Sequence, residues 1–234
     1  MTKELSLIVP TYNEVGNIQE LIERIAGSMK DLNSEVIFVD DGSPDGTAET
    51  IEIYGKSYGC FRVVRRNGRG GLSSAVMDGL KMAEADVVAV IDGDLQHPPE
   101  LLPQMLAEIT HGFDLVIASR YVKEGTSSFS TLIRKAISRL AVDLAHLLLP
   151  KTRLVSDPVS GYFMMRKNVL KGIKFTLIGN KILLEIIAQH NGNPVTELPY
   201  TFAVRKKGES KLGIGELLNY LHLLIRLRLT SNFA

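Results

Sequence analysis

The 234-residue sequence contains one cysteine, Cys60, which excludes an internal disulfide and suits a reduced, cytosolic setting. Net charge is nearly absent as well. The formal value is +1, so no bulk electrostatic pull toward nucleic acid is expected. No run of about 18 uncharged apolar residues occurs, and no transmembrane helix is predicted. The opening MTKELSLIVP carries too short an apolar stretch for a signal peptide. Repeats and low-complexity tracts are missing. Two phosphate-binding glycine patterns are also missing. The first apolar run leads into PTYNEVGN, with one glycine, where a dinucleotide fold would place Gly-x-Gly-x-x-Gly, and no Gly-x-x-x-x-Gly-Lys-Ser/Thr is found. Gly68-Arg69-Gly70-Gly71 is too short to stand in for either and reads as a flexible turn.

What is present is an ordinary globular composition, 45% hydrophobic and 23% charged, long enough for one large domain or two small ones. The first half alternates strand and helix. Strands are expected at Leu5–Pro10, Glu35–Val39, Phe61–Val64, Val87–Ile91 and Leu115–Ser119. Helices are expected at Asn17–Lys30, Thr47–Tyr58 (capped by Asp45 or Ser43), Leu72–Ala83 and Glu100–Thr110. This repetition predicts a largely parallel sheet with right-handed connections and helices on both faces.

Three of these strands run into polar residues at one sheet edge: Pro10-Thr11-Tyr12-Asn13-Glu14, Asp40-Asp41-Gly42-Ser43 and Asp92-Gly93-Asp94. The carboxyl ends of strands are where open α/β sheets bind ligands. Each motif alone also reads as a turn or helix cap. Together they suggest a nucleotide pocket, with Tyr12 as a stacking ring, Asp41 as an acceptor for base or ribose, and Asp94 holding a metal on the diphosphate. Two hard carboxylates flanking a glycine suit Mg²⁺ or Mn²⁺ shared with substrate phosphates.

These motifs, with Asp92-Gly93-Asp94-Leu95-Gln96-His97-Pro98-Pro99, resemble family 2 inverting glycosyltransferases of the GT-A fold, and within them the polyprenol-phosphate (dolichol-phosphate) mannose synthases. Ser119-Arg120-Tyr121, Arg134 with Ser138, Ser156–Gly161 and Gly208-Glu209-Ser210-Lys211 agree with that pattern. The resemblance covers nearly the whole chain. It implies a GT-A (Rossmann-like) three-layer α/β sandwich with a mainly parallel central sheet and a C-terminal amphipathic helix. It implies one catalytic domain over 1–234, with residues 1–120 serving the nucleotide sugar and 121–234 the acceptor. Pro10, Tyr12, Glu14, Val39 and Asp41 would hold the nucleotide, expected to be GDP. Asp92, Asp94 and Gln96 would surround the Mg²⁺ or Mn²⁺, with Gly93 along the donor. Arg120, Arg205 and Lys211 would bind phosphates, and Arg134 with Ser138 the acceptor lipid phosphate. Gly93 departs from the Ala common in the family. Many relatives continue into transmembrane helices beyond the point where this sequence stops. A soluble form, a shortened chain, or a subunit with a membrane-anchoring partner are the readings of that difference.

The second half is read from its own residues as follows. Ser130–Leu149 predicts an amphipathic helix with Ile133, Ile137, Leu140, Leu144 and Leu148 on its apolar face. Arg134 and Ser138 lie one turn apart, able to reach one phosphate or to be solvated. Residues 200–234 hold six basic and two acidic residues, and Arg205–Leu212 reads as a basic loop, either closing on a diphosphate or solvated. Leu217, Leu218, Leu221, Leu224, Ile225 and Leu227 predict a helix that lies in a membrane interface or packs on protein. Glu185 sits in the apolar helix Asn180–Asn191, where it serves the acceptor side or a buried ion pair.

The expected reaction follows from the acceptor. A phosphate oxygen, already anionic, attacks the sugar C1 with inversion, which agrees with the lack of an evident Ser/His or Cys/His pair. Asp94, Arg120, Arg134 and Ser138 would carry it. The expected donor is GDP-mannose and the acceptor a dolichyl or polyprenyl phosphate, at the cytoplasmic face of a membrane. UDP-glucose with undecaprenyl phosphate, or a non-catalytic nucleotide-binding subunit, are the alternatives.

Overall fold

The computed structural model describes residues 2–127, 132–204 and 213–231. The first half follows the expected alternation: β1 (Leu5–Thr11), α1 (Val15–Ser28), β2 (Ser34–Asp40), α2 (Thr47–Gly55), β3 (Phe61–Arg65), α3 (Leu72–Met82), β4 (Val87–Val90), α4 (Leu102–Thr110) and β5 (Leu115–Ser119). A short 3₁₀ turn, Pro99–Leu101, precedes α4. The second half contributes β6 (Thr126–Ser127), α5 (Leu132–Leu148), β7 (Phe163–Arg166), α6 (Ile182–Ala188), β8 (Val195–Pro199), β9 (Thr201–Phe202) and α7 (Ile214–Ser231).

Among the described residues the main sheet runs β3-β2-β1-β4-β7-β5-β8, and β6 pairs with β9 apart from it. Strand β7 is antiparallel to both β4 and β5, and the other main-sheet pairs are parallel. The chain moves outward from β1 to β3 and then crosses back to place β4 on the other side of β1. That reversal makes the β1/β4 crevice the switch point where this architecture binds ligands.

Strand periodicity separates two apolar layers. Leu5, Leu7 and Val9 of β1 join Val36 and Phe38 of β2 under α1, α2 and α4. Ile8 joins Ile37, Val39, Val88 and Val90 against α3 and α6. Helix α3 lies so close that a Cβ on Gly79 would sit 2.5 Å from Ile8 Cγ2. A third cluster joins Val142, Ala145 and Leu149 to Leu184 of α6 and Tyr220, Leu223, Leu224 and Leu227 of α7.

Two expectations about helix faces change. Of the apolar face expected for α5, Leu144 and Leu148 do pack, beside Val142 and Ala145, while Ile137 and Leu140 are exposed. Helix α7 packs on protein along one face, as one of its two readings expected. Leu224 and Leu227 pack on the body, while Leu217, Leu218 and Ile225 face outward. No helix among the described residues is long and apolar enough to cross a membrane.

Candidate active site at the carboxyl edge of the sheet

The ends of β1 and β2 are tied to each other. Asn13, at φ 55°, turns the chain so that three successive N–H groups reach the β2–α2 loop. Asn13 N donates to Ser43 Oγ at 2.9 Å, Glu14 N to Thr47 Oγ1 at 3.0 Å and Val15 N to Asp45 Oδ2 at 3.2 Å. Asp45 Oδ1 also accepts from Thr47 N at 3.0 Å, so one side chain satisfies the first turns of both α1 and α2. Asp45 thus tethers the start of α2, but the cap position itself is taken by Gly46 and not, as expected, by Asp45 or Ser43. Glu14 is buried and accepts Asn17 Nδ2 at 2.7 Å. Pro10 and Val39 are register partners, side by side at the rim.

Asp41 has a structural task beyond the one expected from sequence. Its Oδ1 accepts Gly70 N at 2.8 Å and pairs with Arg66, and its Oδ2 accepts Gly71 N at 2.8 Å. The Gly68–Gly71 segment, read from sequence as a flexible turn, is thus pinned to the end of β2. It carries the Arg69 guanidinium to 4.6 Å from the Tyr12 ring centroid.

At the end of β4, Asp92, Gly93, Asp94 and Gln96 form one tight turn. Leu95 takes a left-handed conformation, φ 62°, which reverses the chain and buries its own side chain. Asp94 is 6% exposed, and its Oδ1 accepts Gln96 N at 3.1 Å. Gln96 donates Nε2 to Ala203 O at 2.8 Å and accepts Ala203 N on its own carbonyl at 3.0 Å. The first bond uses the amide nitrogen of Gln96 and leaves its side-chain oxygen as the atom with ligand chemistry. Two carboxylates and an amide oxygen are hard ligands that fit Mg²⁺ or Mn²⁺ completed by phosphate and water oxygens. Among the described residues no three His, Cys, Asp or Glu side chains converge as a self-sufficient metal site. The walls here are close. A Cβ at Gly93 would lie 2.9 Å from Thr11 Cγ2, and one at Gly161 would lie 2.6 Å from Asp92 Oδ2.

Arg120, at the end of β5, is held by a partner that sequence reading did not assign. Asp157 is fully buried and takes Arg120 Nε at 2.7 Å, Nη2 at 2.8 Å and the Arg120 backbone N at 3.2 Å. Asp157 is itself fixed, because Glu197 on β8 accepts Ser156 N at 2.6 Å and Asp157 N at 3.0 Å. Burial is the strongest single influence and works against the Arg120 charge, but the hydrogen bond and charge of Asp157, together with Tyr200 and Tyr121, outweigh it and the guanidinium pKa rises. The Tyr121 hydroxyl meets Ser138 Oγ at 2.8 Å. That contact places Ser138, with Arg134 one turn earlier on α5, beside the Arg120 segment. Lys181, at the start of α6, was also missed. Burial and Arg120 push its ammonium pKa down, while Asp92, Asp157 and Glu216 act in the opposite direction.

Glu185 forms no ion pair among the described residues. It accepts Thr176 N, Thr176 Oγ1 and Leu177 N at 2.5, 2.9 and 3.1 Å, and so holds a turn. Arg205 and Lys211 lie outside the described residues.

Residues 6–174 match the model of Glycosyl transferase family 2. The chain belongs to that family. It is 44% identical over 224 residues to a dolichol-phosphate mannosyltransferase of Pyrococcus furiosus, covering 96% of this chain and 63% of that protein. It is 36% identical over 233 residues to the dolichol-phosphate mannosyltransferase of Saccharomyces cerevisiae, covering 94% of this chain and 85% of the yeast protein. This chain thus spans a little under two thirds of its archaeal relative's length. Among solved structures, glucosyl-3-phosphoglycerate synthase of M. tuberculosis superposes with a TM-score of 0.71 at 22% identity, covering 98% of this chain and 80% of that one. Another crystal of that enzyme, with Mn²⁺, uridine diphosphate and glucosyl-3-phosphoglycerate, gives 0.70. The family and the α/β fold expected from the motifs are both borne out.

Proposed function

We propose that this family 2 member transfers mannose from GDP-mannose to a dolichyl or polyprenyl phosphate, with inversion at C1. The observation that carries this reading is the Asp92–Gln96 turn at the β1/β4 switch point, in a chain 44% identical to a dolichol-phosphate mannosyltransferase. Residues 1–120 form the donor side and 121–234 the acceptor side of one catalytic domain over 1–234. Asp92, Asp94 and Gln96 would hold Mg²⁺ or Mn²⁺, which when bound neutralises charge on the departing diphosphate.

The remaining chemistry belongs to the chain. Pro10, Val39, Tyr12, Glu14 and Asp41 build the nucleotide wall. Arg120, kept charged by Asp157, stabilises negative charge as the C1–O bond to the diphosphate breaks. Arg134 and Ser138 present a phosphate oxygen to the opposite face of C1, where the new bond forms. That oxygen is already ionised, so no general base is needed. Arg205 and Lys211 are assigned to the phosphates of donor or acceptor. The outward leucines of α7, together with Arg226 and Arg228, suit a peripheral position on the cytoplasmic surface of a membrane.

The test is transfer of radiolabelled sugar from a panel of sugar nucleotides to short polyprenyl phosphates. GDP-mannose is expected to be the productive donor, and Asp94→Ala to lose about 10²–10³ in rate with its circular dichroism unchanged. Turnover with UDP-glucose and undecaprenyl phosphate in its place would reassign the substrates. No turnover with any pair would favour a binding subunit.

A further inference from the structure

We propose that His97 is a positioning residue: its Nε2–H holds Asp92 Oδ2 and fixes the carboxylate that faces the donor. This inference rests on the metal and donor reading of Asp92 and Asp94 given above.

His97 is 2% exposed, an unusual setting for an imidazole next to a polar turn. Three rings enclose it, with centroids 5.5 Å away at Tyr162, 5.4 Å at Tyr200 and 5.2 Å at Phe202. Its Nε2 lies 3.3 Å from Asp92 Oδ2, and its Nδ1 is buried with no hydrogen-bond partner among the described residues.

A neutral imidazole carries one donor and one acceptor nitrogen. With the proton on Nδ1, a buried donor would go unused and the Nε2 lone pair would face a carboxylate oxygen. With the proton on Nε2, the ring donates to Asp92 and leaves only an unused acceptor against aromatic carbon. Leaving a buried donor unmade and opposing two lone pairs are both costly, so the contacts select the Nε2–H form.

The surroundings make the contact stiff. Gly161 closes on the same Asp92 oxygen from another element, at a distance that leaves no room for a Cβ. The left-handed Leu95 and the reciprocal pair of bonds between Gln96 and Ala203 hold the residues between Asp92 and His97. Tyr200 and Phe202 belong to the segment that ends at Ala203, so the box around His97 and the tether on Gln96 are built by one piece of chain. An outer hydrogen bond of this kind sets the orientation of a ligand carboxylate, and its loss commonly weakens metal affinity by about 10- to 100-fold.

The experiment compares wild type, His97→Leu and His97→Gln by calorimetric titration of Mn²⁺ and GDP, and by ¹⁵N–¹H correlation of the histidine rings. Glutamine can offer an N–H near the Nε2 position, and leucine cannot. His97→Leu is expected to bind Mn²⁺ and GDP about 10- to 100-fold more weakly, and His97→Gln to recover most of that loss. The resonance missing from the His97→Gln spectrum identifies His97 and is expected to carry its proton on Nε2. Wild-type affinity in His97→Leu overturns the positioning role while leaving the site reading intact. So does an equal loss in both variants. If wild type binds neither Mn²⁺ nor GDP, the site reading falls and this inference falls with it. Should His97→Leu not fold, the wild-type spectrum still decides, because a proton on Nδ1 overturns the proposal.

Discussion

Asp157 has no exposed surface and serves a single guanidinium with both of its oxygens. Removing it strands a buried cation, which costs far more than an exposed pair would. Asp157→Ala is expected to lose about 3–5 kcal/mol in urea denaturation. Gly161→Ala acts on geometry. Its new Cβ displaces the Asp92 carboxylate, and kcat/KM is expected to fall about 10²-fold, as for other misplacements of about 1 Å. Glu185 gives a pH prediction. Burial raises its pKa above the ordinary 4.5, against which three hydrogen bonds act less strongly. The stability linked to its protonated form is complete below about pH 4.5 and is lost as pH rises through the raised value. Relative to Glu185→Gln, wild type should therefore lose stability as pH increases across that window, measured by denaturation at a series of pH values. None of these three roles was visible in sequence. Asp157 and Arg120 are 37 residues apart, and Glu185 meets a turn with no pattern of its own.

Elements differ in how plainly their sequences announce them. Helix α1 and strands β1, β2 and β4 were legible because both faces of each strand are buried and the helix repeats its apolar residues every three or four positions. Strands β7 and β8 were not. β7 has four residues, rich in Met, and its partners lie in distant segments. The face of α5 is only partly legible: Leu144 and Leu148 pack as their spacing predicts, but the buried stripe runs through Val142 and Ala145 and leaves Ile137 and Leu140 outside. Two measurements test this level. Gly79→Ala should overpack α3 against Ile8 and lose about 1–3 kcal/mol by thermal or urea unfolding. Replacing Leu218 and Ile225 by serine should leave the melting temperature nearly unchanged, since both are exposed, and reduce cosedimentation with anionic vesicles.

At the scale of the molecule, the strand order itself has a consequence for how the protein is made. Strands β4 and β5 are sequence neighbours, but they never touch, because β7 lies between them. The first half of the chain cannot close its own sheet. On the ribosome, both flanking strands wait with unpaired edges until Phe163–Arg166 emerges. At roughly 5–20 residues per second that delay lasts several seconds, long enough for a chaperone to bind or for two nascent chains to pair through the vacant slot.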